Sequence, residues 1–102
     1  MTELEIQRCE RCGTMAFPDR LWCPGCGCGR GELHHVPAGP GRIEEETTLR
    51  RPPAAEPVRL GTVRLQNGPL VIARLAADAG PGTQVRLDRS AEGAIWARAT
   101  PD

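Results

Sequence analysis

Two Cys-x-x-Cys-Gly units stand near the start of the chain, Cys9-Glu10-Arg11-Cys12-Gly13 and Cys23-Pro24-Gly25-Cys26-Gly27, with ten residues between Cys12 and Cys23. A Cys-x-x-Cys pair places two sulfurs on one side of a tight turn. The glycine that follows each pair has no Cβ, so it can take positive φ and turn backbone N–H groups toward the sulfurs. Two such knuckles facing each other form a tetrahedral set of four thiolates, the donor arrangement of a structural zinc site. With four protein ligands no position is left for a water, so Cys9, Cys12, Cys23 and Cys26 are expected to hold one Zn2+ that shapes the fold and performs no reaction. Iron bound in rubredoxin fashion needs the same four sulfurs and stays the alternative. Binding should be coupled to folding of the first 35 or so residues. A redox Cys-x-x-Cys asks for a strand before it and a helix after it, and the flanking residues predict neither.

Other reactive groups are few. Cys28 lies two residues past Cys26, too close to replace it without distorting the knuckle, and is read as an incidental thiol. His34 and His35 follow the cysteine segment and are expected on a strand surface, since the metal would already have four ligands. Phe17 and Trp22 are expected to pack over the hairpin and shield the metal, and Trp96 to be a barrel or interface residue. Ser90 is the only serine, in an Asp-Arg-Ser-Ala-Glu-Gly turn with no histidine near it. There is no glycine-rich phosphate loop, nucleophile elbow or His-containing metal motif. The chain is therefore expected to be catalytically inert by itself.

The elements that must position these residues come from a chain of 102 residues with only three aromatics. A protein this small with so few large side chains usually needs a metal or disulfide staple. The first residues carry no basic start followed by an apolar stretch, and no apolar run approaches membrane-spanning length, so a cytoplasmic protein with reduced thiols is expected. Its 13 basic residues, all arginine, balance 13 acidic ones. A strongly basic nucleic-acid binder is thereby disfavoured, although a single-stranded nucleic-acid-binding protein remains the competing reading.

Residues 37–41, Pro-Ala-Gly-Pro-Gly, form a hinge that divides the chain into residues 1–36 and 37–102. Beyond it the patterning is of β type. Strands are expected at Thr47–Arg50, closed by Pro52-Pro53, and at Val58–Gln66, whose alternation slips at Gly61-Thr62 as a β-bulge would produce. Asn67-Gly68 signals a hairpin turn into Leu70–Leu75, a strand apolar on both faces apart from Arg74. Gln84–Asp88 and Ala94–Ala99 complete the set. The acidic triplet Glu44-Glu45-Glu46 is read as a solvated strand start. About five short strands without an amphipathic helix are best closed into a small barrel, which removes exposed edges.

The run Arg8-Cys9-x-x-Cys12-Gly13, Phe17-Pro18-x-Arg20-x-x-Cys23-Pro24-x-Cys26-Gly27 resembles the rubredoxin-like zinc ribbon of domain-of-unknown-function family 35. Gly39-x-Gly41, Leu49-Arg50-Arg51-Pro52, Pro57-Val58 through Leu65, Gly68-Pro69 with Ala73-Arg74-Leu75, and Pro81-Gly82-x-x-Val85-Arg86-Leu87 resemble the OB-fold that follows it. The resemblance spans roughly residues 8–88. It implies a small all-β protein, an N-terminal rubredoxin-like zinc ribbon (1–36) followed by a five-stranded OB-fold barrel (37–102). It also implies a non-catalytic accessory subunit that forms a hetero-oligomer with a thiolase-like catalytic subunit, or with an aldolase or hydratase, acting on acyl-CoA thioesters. The barrel would dock on that enzyme and border its CoA channel, and Arg20 would be a contact residue. Two departures are seen: seven residues precede Arg8 where family members have a helical segment, and Trp96 and Pro101 replace a C-terminal Phe-x-Pro.

Overall fold

The computed structural model describes residues 2–50, 56–66 and 68–100. Among the described residues nine strands form two sheets: β1 (Thr2–Glu3), β2 (Glu5–Cys9), β3 (Met15–Ala16), β4 (Leu33–Pro37), β5 (Pro40–Leu49), β6 (Val58–Leu65), β7 (Leu70–Leu75), β8 (Gln84–Arg89) and β9 (Ile95–Ala99). A single 3-10 turn at Arg30–Glu32 is the only helical element among the described residues.

Strands β5 to β9 close into a barrel. β5 pairs antiparallel with β6, β6 with β7, β8 with β9 and β8 with β5, while β7 and β9 close the ring in parallel. This order, with the third and fifth barrel strands parallel, is that of the five-stranded OB-fold. Its interior is filled by side chains at every second position, among them Ile43, Val63, Leu65, Val71, Val85 and Leu87. Strand β2 lies between β3 and β4 in a separate three-stranded sheet that carries the cysteines.

The two sheets share their packing. β1 pairs with β8 on the barrel, the Leu4 N–H donates to the Leu87 carbonyl at 2.9 Å, and the Ala38 N–H donates to the Leu4 carbonyl at 2.8 Å. Leu4 and Ile6 are fully buried in the same apolar cluster as the barrel interior, with Met15 and Phe17 packed against it.

Several expectations are corrected. The first barrel strand begins at Pro40, seven residues before Thr47, so Glu44-Glu45-Glu46 lies in mid-strand rather than at a start. Proline at 40 fits because it opens the strand, and the polar run hid the rest. The bulge is not at Gly61-Thr62. Strand β6 alternates without interruption, with Gly61, Val63 and Leu65 inward, and the irregularity lies opposite, between Ile43 and Glu45. The apparent slip arose because Val58 and Leu60 are apolar residues on the outer face. β2 does precede the first knuckle, so a strand stands where none was expected. Trp22 is 64% exposed rather than packed over the hairpin, whereas Phe17 packs toward the barrel core. The hairpin residue Asn67 and the Pro52-Pro53 stop lie outside the described residues. Gly68, at φ 117°, donates its N–H to the Leu65 carbonyl at 3.0 Å, as the β6–β7 turn requires.

Candidate metal centre

Strand β2 ends on Cys9, which delivers the first sulfur at the sheet margin. The chain then turns at once: the Gly13 N–H donates to the Cys9 carbonyl at 2.8 Å with Gly13 at φ 80°. The second knuckle repeats the geometry, the Gly27 N–H donating to the Cys23 carbonyl at 2.9 Å with Gly27 also at φ 80°. A side chain at either glycine would be strained in this left-handed conformation. The Cys23 N–H donates to the Cys28 carbonyl at 2.8 Å and closes the second loop behind the knuckle.

The turns bring the sulfurs of Cys9, Cys12, Cys23 and Cys26 within 4.8 Å of one another. Sulfurs of Cys9 and Cys26 are 3.7 Å apart and those of Cys12 and Cys23 3.4 Å. Four thiolates about 2.3 Å from a central Zn2+ would lie about 3.8 Å from each other, so the cluster has the dimensions of a tetrahedral site. Cys9 and Cys23 are buried and Cys12 and Cys26 exposed, which sets the cluster at the surface of the small sheet.

The electrostatics suit a cation. Burial opposes ionisation of Cys23, but N–H groups of Cys26 and Gly25 and the thiols of Cys12 and Cys9 outweigh it, lowering its pKa to about 6. Thr14 lowers that of Cys12 through its hydroxyl, 3.0 Å from the sulfur, and its N–H. At Cys26 the Cys28 N–H favours the thiolate, but Cys28 Sγ, burial and the sulfurs of Cys12 and Cys9 push the pKa well up. Four negative sulfurs this close repel one another without a positive charge among them.

The other singled-out residues fall outside this cluster. His34 and His35 are exposed on β4, and His35 Nε2 lies 2.7 Å from Asp19 Oδ2. Cys28 Sγ is 3.2 Å from Arg11 Nη1. The Arg20 side chain is exposed, but its backbone is gripped: its N–H donates to Gln7 Oε1 at 2.9 Å, and Gln7 Nε2 donates to its carbonyl at 3.0 Å. Gln7 escaped sequence reasoning because an isolated glutamine in a strand announces nothing. Its only signal was an amide in the middle of a short run of otherwise unpatterned residues. Ser90 Oγ accepts from the Ala94 N–H at 3.1 Å and serves the β8–β9 turn. Trp96 is half-exposed on the barrel, with the Arg74 guanidinium 5.9 Å from its ring centroid.

A cysteine-bearing three-stranded sheet joined through a common core to an OB barrel defines the class of this molecule. The chain belongs to the family described as the ChsH2 C-terminal OB-fold domain, which matches residues 35–89. It is similar to a DUF35 domain-containing scaffold protein of Pyrococcus furiosus, 36% identical over 72 residues. That match takes in 67% of this chain and 52% of the relative, so the chain spans about half the length of the curated relative it matches. Among solved structures it resembles an Ltp2-ChsH2(DUF35) aldolase, with a TM-score of 0.72 and 26% identity over 95% of this chain and 84% of the other. The fold also recurs in a DUF35-family protein of unknown function from Sulfolobus solfataricus, with a TM-score of 0.65, 13% identity, and 96% and 76% of the two chains covered.

Proposed function

We propose that this protein is a non-catalytic accessory subunit of a thiolase-like or aldolase-type enzyme acting on acyl-CoA thioesters. Its ribbon (1–36) would be folded around one structural Zn2+, beside an OB barrel (37–102). The observation that carries the reading is the likeness, over 95% of this chain, to a chain of the Ltp2-ChsH2(DUF35) aldolase. The naming of a relative as a scaffold protein agrees with it. Cys9, Cys12, Cys23 and Cys26 would be the metal ligands, on the strength of their spacing and of the N–H groups aimed at Cys23. The metal would supply folding energy and no reaction step. The subunit would work in the cytoplasm, where thiols stay reduced. Contact with the CoA thioester would be indirect, through the barrel's place beside the catalytic subunit.

The test is native co-purification from the source cell, with mass spectrometry of the bound proteins and metal analysis of the chain. A thiolase-fold or aldolase partner and one zinc per chain are expected. Serine at any of the four cysteine positions should abolish stoichiometric zinc, while Cys28→Ser should retain it. Ribosomal or nucleic-acid-handling partners, with tight single-strand binding that weakens steeply with salt, would overturn the reading in favour of nucleic acid.

A further inference from the structure

Between the two knuckles, residues Asp19 to Trp22 form a loop that is pinned along its length. The Gln7 amide grips the Arg20 backbone with two hydrogen bonds, the Asp19 carboxylate lies 2.7 Å from His35 Nε2, and the next residue, Cys23, is a buried member of the sulfur cluster. On this fixed loop Leu21 is 59% and Trp22 64% exposed. An apolar pair on a loose loop can fold down onto neighbouring surface, but here the backbone is fixed just before the pair at Arg20 and just after it at the buried Cys23. One of only three aromatic residues in the chain is therefore kept in water. A groove of about 250 Å³ runs beside Leu21, bordered by Arg20, Arg30 and Leu33 and by the paired Asp19 and His35. Among the described residues neither Arg20 nor Arg30 has a carboxylate in ion-pair contact. Tryptophan and arginine are the residues enriched in interface hot spots, and preorganisation lowers the entropy lost on docking.

We propose that the Leu21-Trp22 tip is a docking anchor for a protein partner with an apolar pocket to receive both side chains. Carboxylates on the rim of that pocket would meet Arg20 and Arg30. The occupant is a protein and not a lipid surface, because one Leu-Trp pair buries too little to hold a membrane. The inference rests on the accessory reading only in taking the occupant to be a protein. It assigns the contact to the cysteine-bearing sheet, whereas family resemblance points to the barrel.

The experiment uses the full zinc-loaded chain, tagged, in three forms besides wild type: Leu21→Ser with Trp22→Ser, Arg20→Glu with Arg30→Glu, and Leu70→Ser with Ile72→Ser on the barrel. Proteins retained from the source cell are identified by mass spectrometry, purified and titrated against each form. All substituted side chains are exposed, so unchanged metal content and unfolding midpoint check the fold. The expected result is at least tenfold weaker binding by the Leu21/Trp22 form. The arginine form should also bind more weakly and lose most of the salt dependence, and the barrel form should bind as wild type does. A thiolase-fold or aldolase partner bound equally by the Leu21/Trp22 form overturns the anchor and leaves the accessory reading standing. A partner of another class whose binding depends on the tip does the reverse. No identified partner, or tip-dependent binding to phosphatidylserine vesicles in place of a protein, overturns the anchor.

Discussion

Gln7 has 6% of its surface exposed, and both ends of its amide are engaged by the backbone of Arg20. Replacing it with leucine keeps the volume and removes both bonds. Gln7→Leu should cost roughly 1–3 kcal/mol, seen as a lower urea midpoint of the metal-loaded protein. A second pair lies at the barrel end. Arg59 donates from Nε and Nη2 to the two Glu46 oxygens at 2.8 and 2.9 Å, and from Nη2 to the Ala79 carbonyl at 2.6 Å. The hydrogen bonds from Arg59 hold the Glu46 carboxyl below its ordinary 4.5, against a smaller effect of burial. A carboxyl lowered in the folded state contributes stability above its unfolded pKa, and that contribution fades as pH falls through the folded value. Glu46→Gln should therefore unfold at lower denaturant than wild type at pH 7, with the difference closing below about pH 4.5. A difference that stays constant down to pH 2.5 would show that the charge plays no part. The cysteine cluster was legible in sequence and these residues were not, because two Cys-x-x-Cys units have a spacing and a lone glutamine or a pair 13 residues apart has none.

At the scale of elements, the alternating strands were readable and the irregular ones were not. Val85 and Leu87 on β8 point inward as their period-2 pattern demands, and on β7, apolar on both faces, it is Val71, Ala73 and Leu75 that point inward. β5 hid its first half because Gly41 occupies an inward position where an apolar residue would have marked the strand. A Cβ on Gly41 would stand 2.7 Å from Val63 Cγ1 and 3.0 Å from the Arg64 carbonyl oxygen, so curvature of the barrel requires glycine there. Gly41→Ala should destabilise by about 1–3 kcal/mol, since backbone as well as side chain must move. Gly29→Ala, where nothing lies within 4 Å, is the control and should shift the thermal midpoint little. Equal effects of the two would show that the close approach at Gly41 carries no cost of its own. β1 and β2 were missed for a different reason. Only Ile6 in β2 and Leu4 between the two strands mark an apolar face there, and no turn signal marks where the strands begin.

For the whole molecule the consequence is that a metal held by the four cysteines should be coupled to the barrel. The hinge at residues 37–41 suggests two modules, and binding confined to the first 35 residues follows from that division. Yet Leu4 and Ile6, on the segment that leads to Cys9, are 1% and 0% exposed within the barrel's own core. β1 adds to β8, and Leu4 exchanges backbone hydrogen bonds with Leu87 and Ala38. If loss of the ion unravels the knuckles, β2 loses its anchor at Cys9, and the apolar plug it carries is withdrawn from the barrel. Ligand binding to the folded state stabilises everything that unfolds with it. Removing zinc with a chelator should thus lower one cooperative transition, followed equally by far-ultraviolet circular dichroism and by amide protection in β8. Leu4→Ala should weaken that transition by about 2–5 kcal/mol. It should also lower zinc affinity without touching a ligand, since part of the binding free energy is spent restoring the plug. Two separate transitions, with β8 protection unchanged after chelation, would show instead that the barrel stands alone and the cysteine sheet is an appendage.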